Sequence, residues 1–95
     1  MSVERALAGA DVVQLTPHVR LRFDQTRQQW VINAPERVFE LDTTAAEILR
    51  RLDGSRSLAA IVDELAREFD APHAVIHRDV IALLEPLLGK GVVRR

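Results

Sequence analysis

The chain has 95 residues, of which 47% are apolar and 28% are charged, and its formal net charge at pH 7 is −1. This length fits one folded domain, and the apolar fraction is too high for a disordered chain. The sequence contains no cysteine, which excludes disulfides, iron–sulfur clusters and thiol nucleophiles. The charge balance also lacks the basic excess that is typical of proteins that bind nucleic acids or anionic membranes.

The sequence predicts neither a membrane segment nor a secretory signal. No stretch of about 20 apolar residues is present, which is the length that a transmembrane helix needs. Residues 1–10 carry an acidic residue early and have no long apolar core. The absence of cysteine fits a reducing compartment, and we therefore expect a cytoplasmic protein without a membrane partner.

The first segment of the chain, residues 1–15, has no clear hydrophobic period. Thr16-Pro17 interrupts the chain directly after it. We therefore expect a flexible N-terminal arm over residues 1–15 and a single domain over residues 16–95. Such an arm, together with an open sheet edge, would allow two copies of the chain to form a homodimer by strand exchange.

Three short strands are predicted next, because apolar and polar residues alternate with a period of two. The first covers residues 19–24 and the second covers residues 29–34, and the polar turn between them makes the pair a hairpin. Pro35-Glu36 ends the second strand, since proline has no N–H to donate to a ladder. Residues 37–41 form the third strand.

The two faces of the third strand differ. Phe39 and Leu41 are expected to point to the core, and Val38 and Glu40 away from it. Three strands leave two open edges, and an extended peptide could add to such an edge through main-chain hydrogen bonds. The alternative is an edge that is only short and charged, or that the N-terminal arm covers.

Three helices follow, because the apolar residues now recur every three or four positions. Thr44 and Glu47 form a capping-box pattern at the first helix, which is expected to end at Asp53-Gly54. Ser57 is the expected N-cap of the second helix. Pro72 suits the first turn of the third helix, and two glycines near residue 90 end it.

This order of elements predicts the fold class. Strands followed by helices indicate an α+β fold. The short connections between the helices include a helix-turn-helix, so we expect a winged helix-turn-helix-like domain with a three-stranded antiparallel sheet followed by a three-helix bundle. Val92-Val93 is expected to add a short extended segment after the last helix.

Two histidines are the first candidates for chemistry. His73 and His77 are four residues apart on the third helix and therefore share a face. A metal site needs three or four ligands, and the only acids near them are Asp70 and Asp79. Two exposed histidines on a polar face are the simpler interpretation, so we predict no metal and no cofactor.

Carboxylates on the second helix are the next candidates. Glu64 and Glu68 are spaced for one face of the helix, with Asp63 and Arg67 beside them. General acid–base catalysis needs carboxylates in a cleft, and these lie away from the apolar stripe of their helix. A solvated face explains them, and we predict no enzyme. The alternative of a small hydrolase or oxygenase would require a bound metal or cofactor.

A winged-helix regulator that binds DNA is the alternative function for this architecture. The third helix offers His73, His77, Arg78 and Asp79. Recognition helices usually offer Arg, Lys, Asn or Gln to base edges and have basic flanks. The second helix is acidic and would be repelled by phosphates, so we expect no nucleic-acid partner.

Several short motifs follow one another along the chain. They are Pro35-Glu36, Val38, Leu41-Asp42, Ile48-Leu49, Asp53-Gly54, Ile61-Val62, Asp79-Val80, Leu83-Leu84 and Gly91-Val92-Val93. Their order and spacing resemble those of the PqqD family, whose members act in the biosynthesis of pyrroloquinoline quinone. The resemblance covers Leu15 to Arg95. The family usually has asparagine where this chain has Asp42, and both residues can cap a helix.

The resemblance implies a peptide-binding function without catalysis. PqqD-like domains are recognition elements for the leaders of ribosomally made peptides, and PqqD holds the precursor peptide PqqA for PqqE, a radical S-adenosylmethionine enzyme. The peptide is expected to add beside the third strand, in a groove against the third helix. Of the helix residues, Val75 and Asp79 share a side and are ranked first. The implied peptide-binding residues are Arg37, Val38, Phe39, Glu40 and Leu41 from the strand, and some of Val75, Ile76, Asp79, Val80 and Leu83 from the helix.

Overall fold

A computed structural model of the chain describes residues 6–95. The strands form two antiparallel sheets of three strands each, in the orders β5–β1–β6 and β2–β3–β4. Three helices accompany them, so the α+β class that the sequence predicts is confirmed. The elements are β1 (Val12–Leu15), β2 (Arg20–Asp24), β3 (Gln29–Ala34), β4 (Arg37–Glu40), α1 (Thr43–Arg50), β5 (Asp53–Ser57), α2 (Leu58–Glu68), α3 (His73–Gly89) and β6 (Val93–Arg94).

The sheet β5–β1–β6 corrects the prediction of a single three-stranded sheet followed by consecutive helices. β5 lies between α1 and α2, where a turn was expected, and its five residues include none with an apolar side chain. It therefore gives no hydrophobic period in the sequence. Its main-chain pairing with β1 makes it a strand. β6 agrees with the short extended segment expected after the last helix.

The described part of the expected N-terminal arm also differs from the prediction. Residues 12–15 form β1, the central strand of its sheet, and the Val13 side chain is 0% exposed. Leu7 belongs to the core, and the Leu58 amide donates to the Asp11 carbonyl at 2.8 Å. β1 has only four residues, of which Gln14 alone is polar, and so it is too short to show a period of two. The first five residues of the arm lie outside the described part of the chain.

The second sheet agrees with the predicted hairpin and third strand. β2 pairs with β3 along its whole length, and β3 pairs with β4. Pro35 and Glu36 alone connect β3 to β4, with Glu36 at a φ of 66°. A residue with a Cβ in this left-handed region costs on the order of 1 kcal/mol, which the pairing on both sides of the turn offsets. This tight turn fixes where β4 begins.

The structure confirms the predicted N-cap of α2 and corrects the predicted N-cap of α1. The Ser57 Oγ accepts a hydrogen bond from the Ala60 amide at 3.2 Å, so Ser57 caps α2 as predicted. Asp42, rather than the Thr44 capping box, caps α1, because its Oδ1 accepts from the Ala45 amide at 2.7 Å. The helix simply begins earlier than the capping box implied.

One core joins the helices to β3. α2 packs along α3, and α1 packs against both β3 and α3. None of the helices within residues 6–95 is both long enough and apolar enough to cross a membrane. The largest fully buried side chains are Ile32, Ile48, Leu49, Leu58, Ile61, Leu65, Leu84, Val13, Val80 and Val93.

Candidate functional site

β4 is an edge strand, and β3 is its single neighbour among the described residues. The Leu41 amide donates to the Trp30 carbonyl at 3.0 Å, so Leu41 occupies a hydrogen-bonded position of the ladder. Such positions alternate along an antiparallel pair. The N–H and C=O groups of Val38 and Glu40 therefore point away from β3, toward the open edge.

The side chains of β4 divide as the sequence predicts. Phe39 and Leu41 are half-buried and pack against the core. Val38 is 55% exposed, and Glu40 is also exposed. The open edge of β4 thus combines unpaired main-chain groups with an exposed apolar side chain.

The C-terminal end of α3 lies beside β4. The Nζ of Lys90, which follows the last turn of α3, lies 5.7 Å from the centre of the Phe39 ring. The period of 3.6 residues places Leu83, Asp79 and Val75 on the same side of α3 as Lys90. We call Val75, Asp79, Leu83 and Lys90 together the α3 flank. The space between the α3 flank and β4 is called the groove.

The opposite side of α3 is covered by α2. The His73 Nε2 lies 3.0 Å from the Asp63 Oδ1 of α2, and His77 lies beside Val62 on the surface that the two helices share. By contrast, Val75 on the α3 flank is 37% exposed. The α3 flank therefore lies on the side of α3 that α2 does not cover.

The structure separates the helix residues that the family resemblance implied. Asp79 and Leu83 are half-buried on the α3 flank. Ile76 and Val80 are 6% and 0% exposed and belong to the core. Because Ile76 lies seven residues before Leu83, the helical period alone places it near the α3 flank, and its burial, like that of Val80, assigns it to the core. Ile76 and Val80 therefore belong to the core on which the α3 flank rests.

The end of the groove beside Arg37 opens into a cavity of about 320 Å³. Its wall is made by the β1–β2 connection, the β3–β4 turn and the residues after α3, and Arg37 and Lys90 both line it. Lys90 is absent from the residues that the sequence predicted. The one sequence feature that could have indicated Lys90 is its position between the end of the last helix and Gly91.

The other candidates for chemistry have structural partners. His73 contacts Asp63, as described above. No cluster of three or more His, Cys, Asp and Glu side chains that could hold a metal ion occurs within residues 6–95. Within that range, His73 and His77 are not part of a group of three or more such side chains.

The acidic face of α2 belongs to an ion-pair cluster. The Arg51 Nε donates to the Glu64 Oε1 at 2.8 Å, and other nitrogens of the same guanidinium contact Glu47 and Glu68. The hydrogen bond from Arg51 is the main cause that lowers the pKa of Glu64. The cluster joins α1 to α2. Sequence reasoning missed it because Arg51 and its α2 partners are distant in the chain.

Asp53 stabilises the bend at the start of β5. Its Oδ1 accepts hydrogen bonds from the Ser55 and Arg56 amides at 2.9 and 3.0 Å. These bonds favour the charged carboxylate and lower the pKa of Asp53 to about 2. The shift reflects a tight local turn and not a catalytic cleft.

Comparison with known families decides what this arrangement is. The family model described as coenzyme PQQ synthesis protein D (PqqD) matches residues 29–93. The chain belongs to the PqqD family. The matched range contains β4, α3 and the whole groove, and it confirms the family resemblance that the sequence motifs indicate.

Relatives of the PqqD family from two genera are named PqqA binding protein. The one from Rhodopseudomonas palustris (strain HaA2) is 56% identical over 77 residues, which are 81% of this chain and 76% of the relative. The one from Xanthomonas oryzae pv. oryzae (strain KACC10331 / KXO85) is 55% identical over 76 residues, which are 80% of this chain and 83% of the relative.

Two solved PqqD structures have the same architecture. One is the solution NMR structure of the PqqD truncation of Methylobacterium extorquens PqqCD, described as a functional, stand-alone recognition element for ribosomally synthesised and post-translationally modified peptides. It has a TM-score of 0.84 and 40% identity, and covers 95% of this chain and 96% of that chain. The crystal structure of PqqD from Xanthomonas campestris has a TM-score of 0.61 and 44% identity, and covers 99% and 100%.

Proposed function

We propose that this chain binds the precursor peptide PqqA as an added strand beside β4, in pyrroloquinoline quinone biosynthesis. The observation that carries the proposal is the open edge of β4, where the main-chain groups of Val38 and Glu40 point away from β3 and Lys90, at the end of α3, lies over Phe39. The names of the PqqD relatives support the choice of PqqA as the peptide.

Strand addition would supply affinity and specificity through different groups. The four main-chain groups of Val38 and Glu40 can each form a hydrogen bond with the peptide, and each bond contributes about 0.5–1.5 kcal/mol. Side chains of an added strand point alternately to the two faces of the sheet. On the core face they meet the α3 flank, and on the other face they meet Val38. The helix flank can therefore read every second residue of the peptide.

We propose that the chain presents PqqA to PqqE and performs no chemistry itself. PqqE chemistry requires an iron–sulfur cluster, and this chain has no cysteine to hold one. Asp53, Asp63, Glu64, Glu68 and His73 lie outside the groove and are engaged in the structural contacts described above. We place this function in the cytoplasm, with no cofactor, and describe the fold as winged-helix-like because the β2–β3 hairpin accompanies three helices. No observation on α3 favours the DNA-binding alternative.

A homodimer formed by strand exchange would use the same kind of open edge. If a second copy occupied β4, PqqA would have to compete with it. Sedimentation of the protein at increasing concentration, with and without PqqA, tests this relation. Dissociation of a dimer by PqqA would place both partners at β4, and a dimer that binds PqqA unchanged would place the dimer contact elsewhere.

The direct test is a titration of 15N-labelled protein with PqqA, followed by backbone amide NMR. We expect chemical-shift changes concentrated in residues 37–41 and on the α3 flank, and small changes in α2. A peptide with the same composition and a scrambled order is the control. Saturating PqqA that moved no amide, or moved those of β2 and not those of β4, would overturn the proposal.

A further inference from the structure

Two positive side chains converge at one end of the groove. Arg37 and Phe39 are two residues apart in β4 and therefore share the core face of the strand. Lys90 lies over the Phe39 ring, with its Nζ 5.7 Å from the ring centre. The guanidinium and the ammonium thus approach the same face, and both line the cavity of about 320 Å³ at the end of the groove.

Neither cation has a carboxylate partner in the part of the chain that the structure describes. Within residues 6–95, no Asp or Glu side chain forms an ion pair with Arg37 or Lys90, whereas Arg50, Arg51, Arg56 and Arg67 all have carboxylate partners. In the same part of the chain, the Lys90 ammonium contacts the Phe39 ring. Two like charges that line one cavity without a carboxylate partner favour the binding of an anion there.

The rest of the cavity wall is apolar or consists of main chain fixed by hydrogen bonds. Pro17, Val19 and Pro35 supply apolar surface. The Thr16 Oγ1 donates to the Gly91 carbonyl at 2.7 Å, and the Thr16 amide donates to the Val92 carbonyl at 3.0 Å. These bonds tie the β1–β2 connection to the end of α3, so the cavity is formed before any ligand arrives. An acidic side chain has the methylene groups and the carboxylate that such a wall fits.

We propose that this cavity binds one acidic side chain of the peptide that adds to β4, and that this contact sets the register of the added strand. The inference rests on the proposed function, since the cavity meets the peptide only if the strand adds there. An added strand passes Arg37 at the end of β4 and presents every second side chain to the core face. The residue opposite Arg37 then lies within reach of both cations.

The contact would decide register because main-chain hydrogen bonds do not distinguish one residue from the next. A shift of one residue turns every side chain of the strand to the other face. A shift of two residues keeps the faces but moves the acidic side chain away from Arg37. An oppositely charged cross-strand pair, with Lys90 beside it, favours the single register that places the acid in the cavity.

The experiment measures PqqA affinity by calorimetry for the wild-type protein, Arg37→Gln, Lys90→Gln and Arg22→Gln. Arg22 is the matched control, because it is an exposed arginine on the other edge strand of the same sheet and has no carboxylate partner within residues 6–95. We expect Arg37→Gln and Lys90→Gln each to weaken PqqA binding about tenfold, the effect of losing a charge-assisted hydrogen bond, and Arg22→Gln to change it less than about twofold. Thermal unfolding of each variant checks that the fold is kept.

A set of PqqA peptides with single Glu→Gln or Asp→Asn changes then identifies the acid. One peptide change should weaken binding to the wild-type protein about tenfold and have little further effect on Arg37→Gln, which is the non-additivity of a direct pair. Equal affinities of Arg37→Gln, Lys90→Gln and Arg22→Gln for PqqA would overturn this inference and leave strand addition intact. Loss of binding on amidation of the PqqA C-terminus alone would assign the cavity to the terminal carboxylate and also overturn it. A wild-type protein that bound no PqqA would overturn both proposals.

Discussion

The sheet β2–β3–β4 has two open edges that differ in their surroundings. At β4, the main-chain groups of Val38 and Glu40 point to the open side, and Lys90 at the end of α3 lies over Phe39 of the same strand. At β2, the exposed Arg20 and Arg22 stand on the outer face of the sheet. Its core-face residue Phe23 packs edge-on against Trp30, with ring centres 5.6 Å apart. Charged side chains of this kind make an edge less suitable for a further strand.

The comparison shows that an unpaired edge is not sufficient for a peptide site. Both edges offer main-chain hydrogen bonds, which any extended peptide can use. At β4, a helix adds a second wall, so the side chains of an added strand can be buried on one face. Over Trp30, near the β2 edge, the structure places instead the Arg50 guanidinium of α1, 5.4 Å from the ring centre. We therefore expect affinity to depend on β4 and not on β2.

The largest effect on stability is expected in β3, the strand that pairs with both edge strands. Ile32 of the central strand is 0% exposed and pairs with Leu21 on one side and Phe39 on the other. Ile32→Ala should lower the free energy of unfolding by about 2–5 kcal/mol, because it leaves a cavity under both edges. Urea denaturation measures this. Gln25→Ala in the exposed β2–β3 turn is the control, with a change within about 0.5 kcal/mol. Similar values for the two variants would contradict the assignment of Ile32 to the core.

Variants that block one edge strand at a time test the difference between β4 and β2 most directly. The Val38 N–H faces the open side of β4, so Val38→Pro removes no bond to β3 but blocks an added strand. We expect at least about a tenfold loss of PqqA affinity in calorimetry. Phe23 pairs with Trp30, whose main chain bonds to β4, so the Phe23 N–H faces the open side of β2. Phe23→Pro should therefore leave PqqA affinity unchanged. The reverse ranking of the two variants would assign the peptide to β2.

A smaller effect is expected on the helix side of the groove. Val75→Ala removes exposed apolar surface from the α3 flank and should weaken PqqA binding about fivefold, the equivalent of about 1 kcal/mol. Stability should not fall, since alanine is a better helix former than valine. His77→Ala on the α2 side is the matched control, and its affinity should equal that of the wild type. Equal losses from both variants would show that the two sides of α3 do not differ in peptide binding.

The smallest effect is expected on the stability of the protein at acidic pH. This effect does not depend on the difference between the β4 and β2 edges. The pKa of Asp53 is lowered from 3.8 to about 2, and the pKa of Glu64 is lowered from its ordinary value of 4.5. Each charged carboxylate therefore adds stability that is complete above its ordinary pKa and is lost as the pH falls through its lowered pKa. Denaturation at pH 7, 4 and 3 should show falling stability. Asp53→Asn should show a smaller fall below pH 4, and an identical fall would contradict the role of Asp53.

Local sequence patterns predicted the groove strand but only part of the groove helix. The alternation in residues 37–41 correctly predicted that Phe39 packs inward and Val38 is exposed, because a strand has a period of two whatever surrounds it. Helical spacing alone could not divide the apolar residues of α3 between core and groove. Ile76 is on the core side, since the position of β4, which the helix sequence does not contain, decides which flank stays open.

The elements that the sequence missed are those whose stability comes from distant partners. β5 has no apolar residue, and it is a strand because β1 pairs with it across a separation of about 40 residues. The same reason explains Lys90, which becomes part of the groove only because the end of α3 lies over Phe39.

The sequence by itself determined the α+β class, the β2–β3–β4 order, the N-cap Ser57 and the membership of the PqqD family. These follow from local period, from capping chemistry and from motif spacing, all of which act over short stretches of chain. Tertiary structure alone decided the second sheet, the Arg51 cluster and the convergence of Arg37 and Lys90. Each of these depends on contacts between segments far apart in sequence, and such contacts leave no periodic signal in either segment.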